Sequence, residues 1–402
     1  MNKLKIINDP IYGFITIPSE LIFDIIEHRY FQRLRRVSQM GLSHLVYPGA
    51  QHTRFQHAIG CIFLMQKAIN VLKFKGIEIT NKEAEALTIA ILLHDIGHGA
   101  FSHALEHSIV DDISHEEISL KFMEVLNTEF NGKLSLAIQI FKGEHKKKFL
   151  NQLISSQLDI DRLDYLKRDS FYTGVAEGNV NSERLITMLN VVADELVVEE
   201  KGIYSVEKFI LARRLMYWQV YLHKTGLVAE NMLVKVLKRA KELVFKGQKL
   251  NASESLSFFL KNKISASNFD EKVLNIFAEL DDFDVISAIK SWQNHDDFIL
   301  SYLSKAIIQR KLPKIILKNE PMSQTKISEI KTKVINTYNI SDKDLPYLIM
   351  EGKVSNHAYS LEKPIKIVSK NGELKDIVSV SDHFNLKALT IPVVKYFVAF
   401  PK

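Results

Sequence analysis

The stretch "LLHDIGHGAFSH", residues 92–103, sets three histidines and an aspartate into twelve positions straight after an apolar run. Eight of the chain's fourteen histidines (His44, His52, His57, His94, His98, His103, His107 and His115) fall between residues 44 and 115. Imidazole is the commonest metal ligand and titrates near neutrality, so such a concentration points to a metal site with proton-transfer groups beside it. His28, His52 and His107 are read instead as surface residues. One cysteine, Cys61, cannot form an internal disulfide and leaves no thiolate cluster. Any metal must therefore rest on histidine and carboxylate.

Candidate ligands follow from where these residues fall on helices. "LTIAILLHDIGHG" reads as a helix whose apolar body ends at His94-Asp95 and is stopped by Gly97 and Gly99. Adjacent His and Asp at a helix end can reach one cation. His57 sits early in a second helix, "TRFQHAIGCIFLMQKAI", where apolar neighbours bury one face. In "SSQLDIDRLDYLKRDS", Asp161, Tyr165 and Asp169 recur every four residues and share a face. Carboxylates on an inward stripe are costly unless something pairs with them. His57, His94, Asp95 and Asp161, leaving open positions, suit Fe, Mn, Zn or Ni. A further stripe in "LARRLMYWQVYLHK" offers Arg213, Tyr217 and Tyr221 at i, i+4 and i+8.

The elements that must hold these residues are mostly helical. The 3.6-residue period dominates from residue 19 to about 310, as in "SELIFDIIEHRYFQRLRRVSQMG", expected to be one helix opening at Ser19 and stopping at Gly41. "IINDPIYGFITIP" reads as a short N-terminal β-hairpin turning at Asp9-Pro10 and Gly13. From about 310 the pattern changes, and "KPIKIVSKNGELKDIVSVSD" holds two β-rich runs joined by Asn371-Gly372, expected as a two-residue turn. The fold class expected is mainly α, with that hairpin and a small C-terminal α+β lobe.

With 402 residues and 46% hydrophobic content the chain can bury a large core. The net charge of +6 favours an anionic partner. The runs "HKKKF", "KVLKRAKELVFK" and "QRKLPKIILK" read as solvated helix faces in preference to a nucleic-acid groove. Apolar stretches fall well short of the roughly 20 residues of a membrane span, and the N-terminus reads without a signal peptide, so a cytoplasmic location is expected.

The spaced His57, His94-Asp95 and Asp161 resemble the H…HD…D signature of the HD-domain phosphohydrolases. "INDPIYGFITIP", "FQRLRRVSQMG", "VYPGAQHTRFQHAIG", "HDIGHGAFSH" and "DIDRLDYLKRD" together resemble its deoxynucleoside triphosphate triphosphohydrolase (dGTPase-like) branch, from about residue 3 to 230. The resemblance implies an HD core over 1–230, a helical extension over 231–310 and a terminal lobe over 311–402. It implies attack of metal-activated water on the α-phosphorus of a dNTP, dGTP among them, releasing deoxynucleoside and inorganic triphosphate, with Mg accompanying the triphosphate.

Position by position, His57, His94, Asp95 and Asp161 match the family's metal ligands. His98 and His103 match contacts to the α-phosphate and leaving 5′-oxygen. His115 matches the catalytic histidine, and Glu106 stands where the animal enzyme has an aspartate that orients it. Arg54, Arg162, Arg213 and Tyr221 match groups that hold phosphates and sugar, while Tyr217 replaces a histidine. Gln39 and Asp169 match ligands of the 3′-hydroxyl, and Tyr165 the ring that crowds C2′. Lys5, Asn8, Gln32 and Arg35, with Glu27 for an aspartate, match a first allosteric nucleotide pocket, implying a homo-oligomer, dimer or tetramer, with nucleotide as activator. Other readings are an HD hydrolase of a different phosphate ester, or a non-catalytic module binding nucleotides or single-stranded nucleic acid.

Overall fold

The computed structural model describes residues 5–102, 108–382 and 386–402. Ile6–Asp9 and Gly13–Thr16 form the antiparallel N-terminal hairpin. Its turn is closed by Asp9, whose carboxylate accepts the Ile11 and Tyr12 N–H groups, and Gly13 supplies φ +75°.

The expected single helix over 19–41 is broken. Ser19 caps Glu20–Glu27, which buries Ile22, Ile25 and Ile26. At His28 the backbone turns extended, with ψ 140°, and the imidazole accepts the Tyr30 N–H. The chain restarts as Arg29–Gln32 and a tighter turn, Arg33–Arg36. A side chain that caps the next turn offers the backbone an alternative to continuing the previous one.

The centre of the core is a pair of packed helices, Arg54–Phe74 and Asn81–Leu93. Thr53 with Gln56 and Thr80 with Glu83 close capping boxes at their starts. Ile160–Thr173 packs on the first of them and starts at the Asp159 cap. His115–Glu129, Ile203–Met216 and Lys224–Phe245 surround this centre. The fold is mainly α, as the sequence predicts, with small sheets at its edges.

Toward the C-terminus, Val393–Phe400 is the middle strand between Lys314–Lys318 and Met350–Asn356. Lys366–Val368 pairs with Leu374–Asp376 and, in parallel, with Glu195–Glu199. The turn at Asn371-Gly372 has three residues, where the dipeptide suggests two: Ser369 N–H donates to Glu373 O and Gly372, at φ +83°, donates to Ser369 O. That is a type I turn followed by a left-handed residue, the usual three-residue hairpin loop.

Candidate active site

Three helices bring the predicted ligands together. Arg54–Phe74 delivers His57 in its first turn, Asn81–Leu93 ends at His94-Asp95, and Ile160–Thr173 delivers Asp161 in its first turn. His57 Nε2 lies 3.1 Å from Asp161 Oδ1 and 3.7 Å from Asp95 Oδ2. His94 Nε2 lies 3.4 Å from Asp95 Oδ1 and 3.5 Å from Asp161 Oδ1. Both histidines are buried.

The outer ring nitrogens decide what the inner ones can do. His57 Nδ1 meets the Asp164 carboxylate at 2.7 Å and His94 Nδ1 meets the Ile91 carbonyl at 2.7 Å. Both partners only accept, so each Nδ1 carries a proton, and each Nε2 faces the carboxylates, where it either binds a cation through its lone pair or holds a second proton. His94 Nε2 is buried without a hydrogen-bond partner among the described residues. Ring nitrogens facing carboxylate oxygens need positive charge between them, a second proton on each ring or a metal cation, and two such nitrogens converging on two carboxylates form the donor pattern of a divalent metal site. Two nitrogens and two carboxylates fit Mn, Fe, Zn or Ni. Cys61 also lies nearby, but its Sγ is 3.7 Å from both nitrogens of His57, over the ring and off its lone pair, and burial pushes its thiol up to about 12. It is a packing residue.

The electrostatics follow the same design. Burial penalises the Asp164 carboxylate, but Arg168 and then His57 outweigh it and hold it at about 2. With protons in place of a metal, His57 and His94 are raised despite burial and supply the positive charge themselves: burial opposes ionisation of Asp161 and Asp95, yet Asp161 is held well below the usual range by the His57 and His94 imidazoliums, and Asp95 by His94 and Arg54. Arg54 pairs with Asp95 Oδ2 and donates from Nε to Ser102 Oγ at 2.8 Å. Its guanidinium thus belongs to the metal wall as much as to any phosphate.

A cleft of about 450 Å³ opens from this wall. His98 and His115 line it as stacked rings with centroids 3.9 Å apart. Burial, then the charge of Arg54, hold His98 well below the usual histidine value, with His115 contributing in the same sense. Two face-to-face imidazoles in one pocket do not both carry charge. His115 opens a helix capped by Ser114. The His-Asp turn presses against that helix through Gly97, where a Cβ would lie 2.1 Å from the His115 carbonyl. Ser119 Oγ donates to the His94 carbonyl and accepts the Gly97 N–H, each at 2.8 Å. His103 and Glu106 lie outside the described residues.

The opposite wall is aromatic. Tyr165, Tyr217 and Tyr221 line it with Gln39 and Asp169. The helix carrying Arg213 ends at Met216 and continues as a π-helical turn, Tyr217–Tyr221, so the expected even stripe is widened where it meets the cleft. Tyr221 donates to Asp169 Oδ2 at 2.8 Å, and burial followed by Asp169 raises its phenol well above the usual value. His52, expected on the surface, is 1% exposed and holds Asp169 Oδ1 at 2.7 Å, because "QHT" precedes the helix start and turns inward. His28, also expected on the surface, is half-buried against Glu129.

Arg162 and Arg213 stand at the edge of this wall. Arg162 reaches Asp159 at 3.3 Å, and Arg213 lies over the Tyr217 ring and donates to the Ala358 carbonyl at 3.3 Å. Arg162 Nη1, Arg213 Nε and Gln39 Oε1 are buried without partners among the described residues. The candidate allosteric residues are not gathered in the same way. Gln32 and Arg35 meet at 2.9 Å, Lys5 sits over Phe23, and Asn8 pairs with Phe14 in the hairpin.

Residues 54–169 match the HD domain family, and residues 180–263 match the HD associated region. The crystal structure of a phosphohydrolase from Bacteroides thetaiotaomicron superposes with a TM-score of 0.96 at 51% identity, covering 100% of both chains. An uncharacterized protein of Bacillus subtilis, YwfO, is 32% identical over 94% of this chain and 88% of its own. A Dictyostelium discoideum protein named deoxynucleoside triphosphate triphosphohydrolase SAMHD1 homolog is 33% identical over 60% of this chain; the chain spans 50% of its length. The chain belongs to the HD-domain phosphohydrolase superfamily, in the branch that includes the SAMHD1-like proteins. No helix among the described residues is long and apolar enough to cross a membrane.

Proposed function

We propose that the protein is a metal-dependent dNTP triphosphohydrolase, converting a deoxynucleoside triphosphate, dGTP among its substrates, to deoxynucleoside and inorganic triphosphate. The observation that carries this reading is one cleft with imidazoles and carboxylates behind and along one wall, stacked histidines between, and a tyrosine-lined wall with Arg213 over the Tyr217 ring. The names of the Dictyostelium protein and of a Gallus gallus relative, 27% identical over 59% of this chain, support it.

His57, His94, Asp95 and Asp161 would hold the metal, which when bound supplies Lewis acidity and a water of lowered pKa. The chain's own residues do the rest. The attacking oxygen bonds to the α-phosphorus, the bond to the 5′-oxygen breaks, and that oxygen takes a proton. His115, with Glu106 to orient it, is the proposed donor, and His98 and His103 face the α-phosphate and leaving oxygen. Neutral His98 accommodates an incoming anion by gaining a proton or donating one N–H. Arg54, Arg162 and Arg213 meet the phosphates, the last two with N–H donors that lack partners among the described residues. Asp169, fixed by His52 and Tyr221, and Gln39 receive the 3′-hydroxyl, Tyr165 crowds C2′, and Tyr217 and Tyr221 face the sugar.

Mg accompanies the triphosphate, the protein assembles as a homo-oligomer, and nucleotide at Lys5, Asn8, Gln32 and Arg35 activates it. The test is incubation of the Mn²⁺-supplemented protein with each dNTP, alone and paired with dGTP or GTP, followed by ³¹P NMR. Tripolyphosphate is the expected product, and turnover confined to mixtures marks activation. Absence of tripolyphosphate in every mixture, with metal loaded, contradicts the reading.

A further inference from the structure

Behind His57 runs a chain of buried charged groups that no step of the proposed hydrolysis uses. His57 Nδ1 donates to Asp164 Oδ2 at 2.7 Å. Arg168 clamps the same carboxylate with two bonds, Nε to Oδ2 at 2.8 Å and Nη2 to Oδ1 at 3.1 Å. Its remaining arm, Nη1, donates to Asp9 Oδ2 at 2.7 Å. Asp9 uses its other oxygen to close the hairpin turn on the Ile11 and Tyr12 N–H groups at 2.9 and 3.0 Å. His57, Asp164 and Arg168 are fully buried and Asp9 is 7% exposed.

We propose that Asp9, Arg168 and Asp164 are positioning residues that fix the imidazole of His57 for metal binding, making the N-terminal hairpin turn a structural part of the metal site. The inference rests on His57 as a metal ligand and is independent of the substrate. Asp164 cannot rotate away from His57 without breaking the two-pronged clamp, and the guanidinium cannot leave without exposing two carboxylates to each other. The helix bearing His57 accommodates the clamp through Gly60, where a Cβ would lie 2.1 Å from both Arg168 Nη2 and Asp164 Oδ1. A carboxylate on the far nitrogen of a ligating histidine fixes its tautomer and strengthens the donor atom. Here that carboxylate is itself oriented by a cation whose last arm ends on the hairpin, so displacement of the turn loosens the ligand.

The test uses the full chain with Asp164→Asn, Asp9→Asn and, as the ligand control, His94→Ala. Co²⁺ is titrated into the stripped proteins and followed by visible absorption, metal content is measured after dialysis, and urea unfolding monitors the fold. Asp164→Asn is expected to weaken Co²⁺ binding about 10–100-fold. Asp9→Asn keeps the oxygen that closes the turn and is expected to weaken it roughly three- to tenfold. Both should shift the Co²⁺ spectrum, which a purely structural ion pair would leave unchanged. If Asp164→Asn does not fold, Asp9→Asn decides. Wild-type affinity and spectrum in the folded variants, with metal lost in His94→Ala, overturn the relay alone. Retention of metal by His94→Ala shows that the ligand set is wrong, and the relay falls with it.

Discussion

The two walls of the cleft share a helix, Ile160–Thr173, yet are finished differently. On the wall that carries the candidate metal ligands, His57 and His94 have their outer nitrogens tied to Asp164 and Ile91, so their inner nitrogens are aimed before any ligand arrives. On the aromatic wall, the outermost groups are held loosely. Arg213 has one long bond to a carbonyl, and the buried Arg162 Nη1, Arg213 Nε and Gln39 Oε1 have no partners among the described residues. Asp169 is the exception, held on both oxygens. The first wall is fixed in advance, whereas the second keeps two donors, Arg162 Nη1 and Arg213 Nε, and one acceptor, Gln39 Oε1, unpartnered among the described residues for a ligand to meet.

The contrast is broken most severely at the metal wall. His94→Ala should empty the site and reduce hydrolysis by roughly 10³-fold or more, since metal-borne charge stabilisation is lost with it. Elemental analysis beside steady-state kinetics checks both halves. His115→Ala should lower kcat by about 10²–10³-fold while metal content and dNTP binding are kept, the signature of a lost proton donor.

A stability measurement sharpens the comparison from the other side. Asp164 is held at about 2 in the fold against 3.8 ordinarily. Because the folded value is depressed, its contribution is complete above about 3.8 and is lost as pH falls through about 2. That contribution is on the order of 2 kcal/mol. Urea unfolding of Asp164→Asn should therefore show a shallower loss of stability than the wild type across that acid window. At the aromatic edge the effects should be smaller. Arg213→Ala should raise KM about tenfold with little change in Tm, because the group makes its best bonds to the ligand.

The convergence of His57, His94, Asp95 and Asp161 is legible in the sequence because these residue types are chemically unusual for their positions. His94-Asp95 ends an apolar helix, and Asp161 and Asp169 lie on an inward stripe, where burial demands a partner. Asp164 and Arg168 stand in the same segment but read as part of an ordinary charged helix. Their partners, His57 and Asp9, are 107 and 159 residues away, and sequence spacing carries no trace of contacts so distant. His52 reads as a surface residue for the same reason, its partner being Asp169, 117 residues on. A lone polar residue in a turn looks exposed until the surface above it is known. The fold class and the N-terminal hairpin followed from period and turn residues. The break at His28 and the π-turn at Tyr217–Tyr221 did not, because both are shifts of register made within a helical pattern.

The central claim is that water attacks the α-phosphorus at the metal wall while the aromatic wall holds the sugar. It is tested most directly by running the Mn²⁺-loaded protein on dGTP in H₂¹⁸O and locating the label by mass spectrometry. The account predicts one ¹⁸O in the released triphosphate and none in the deoxynucleoside. Label in the deoxynucleoside, or in orthophosphate or pyrophosphate formed instead of triphosphate, would contradict it.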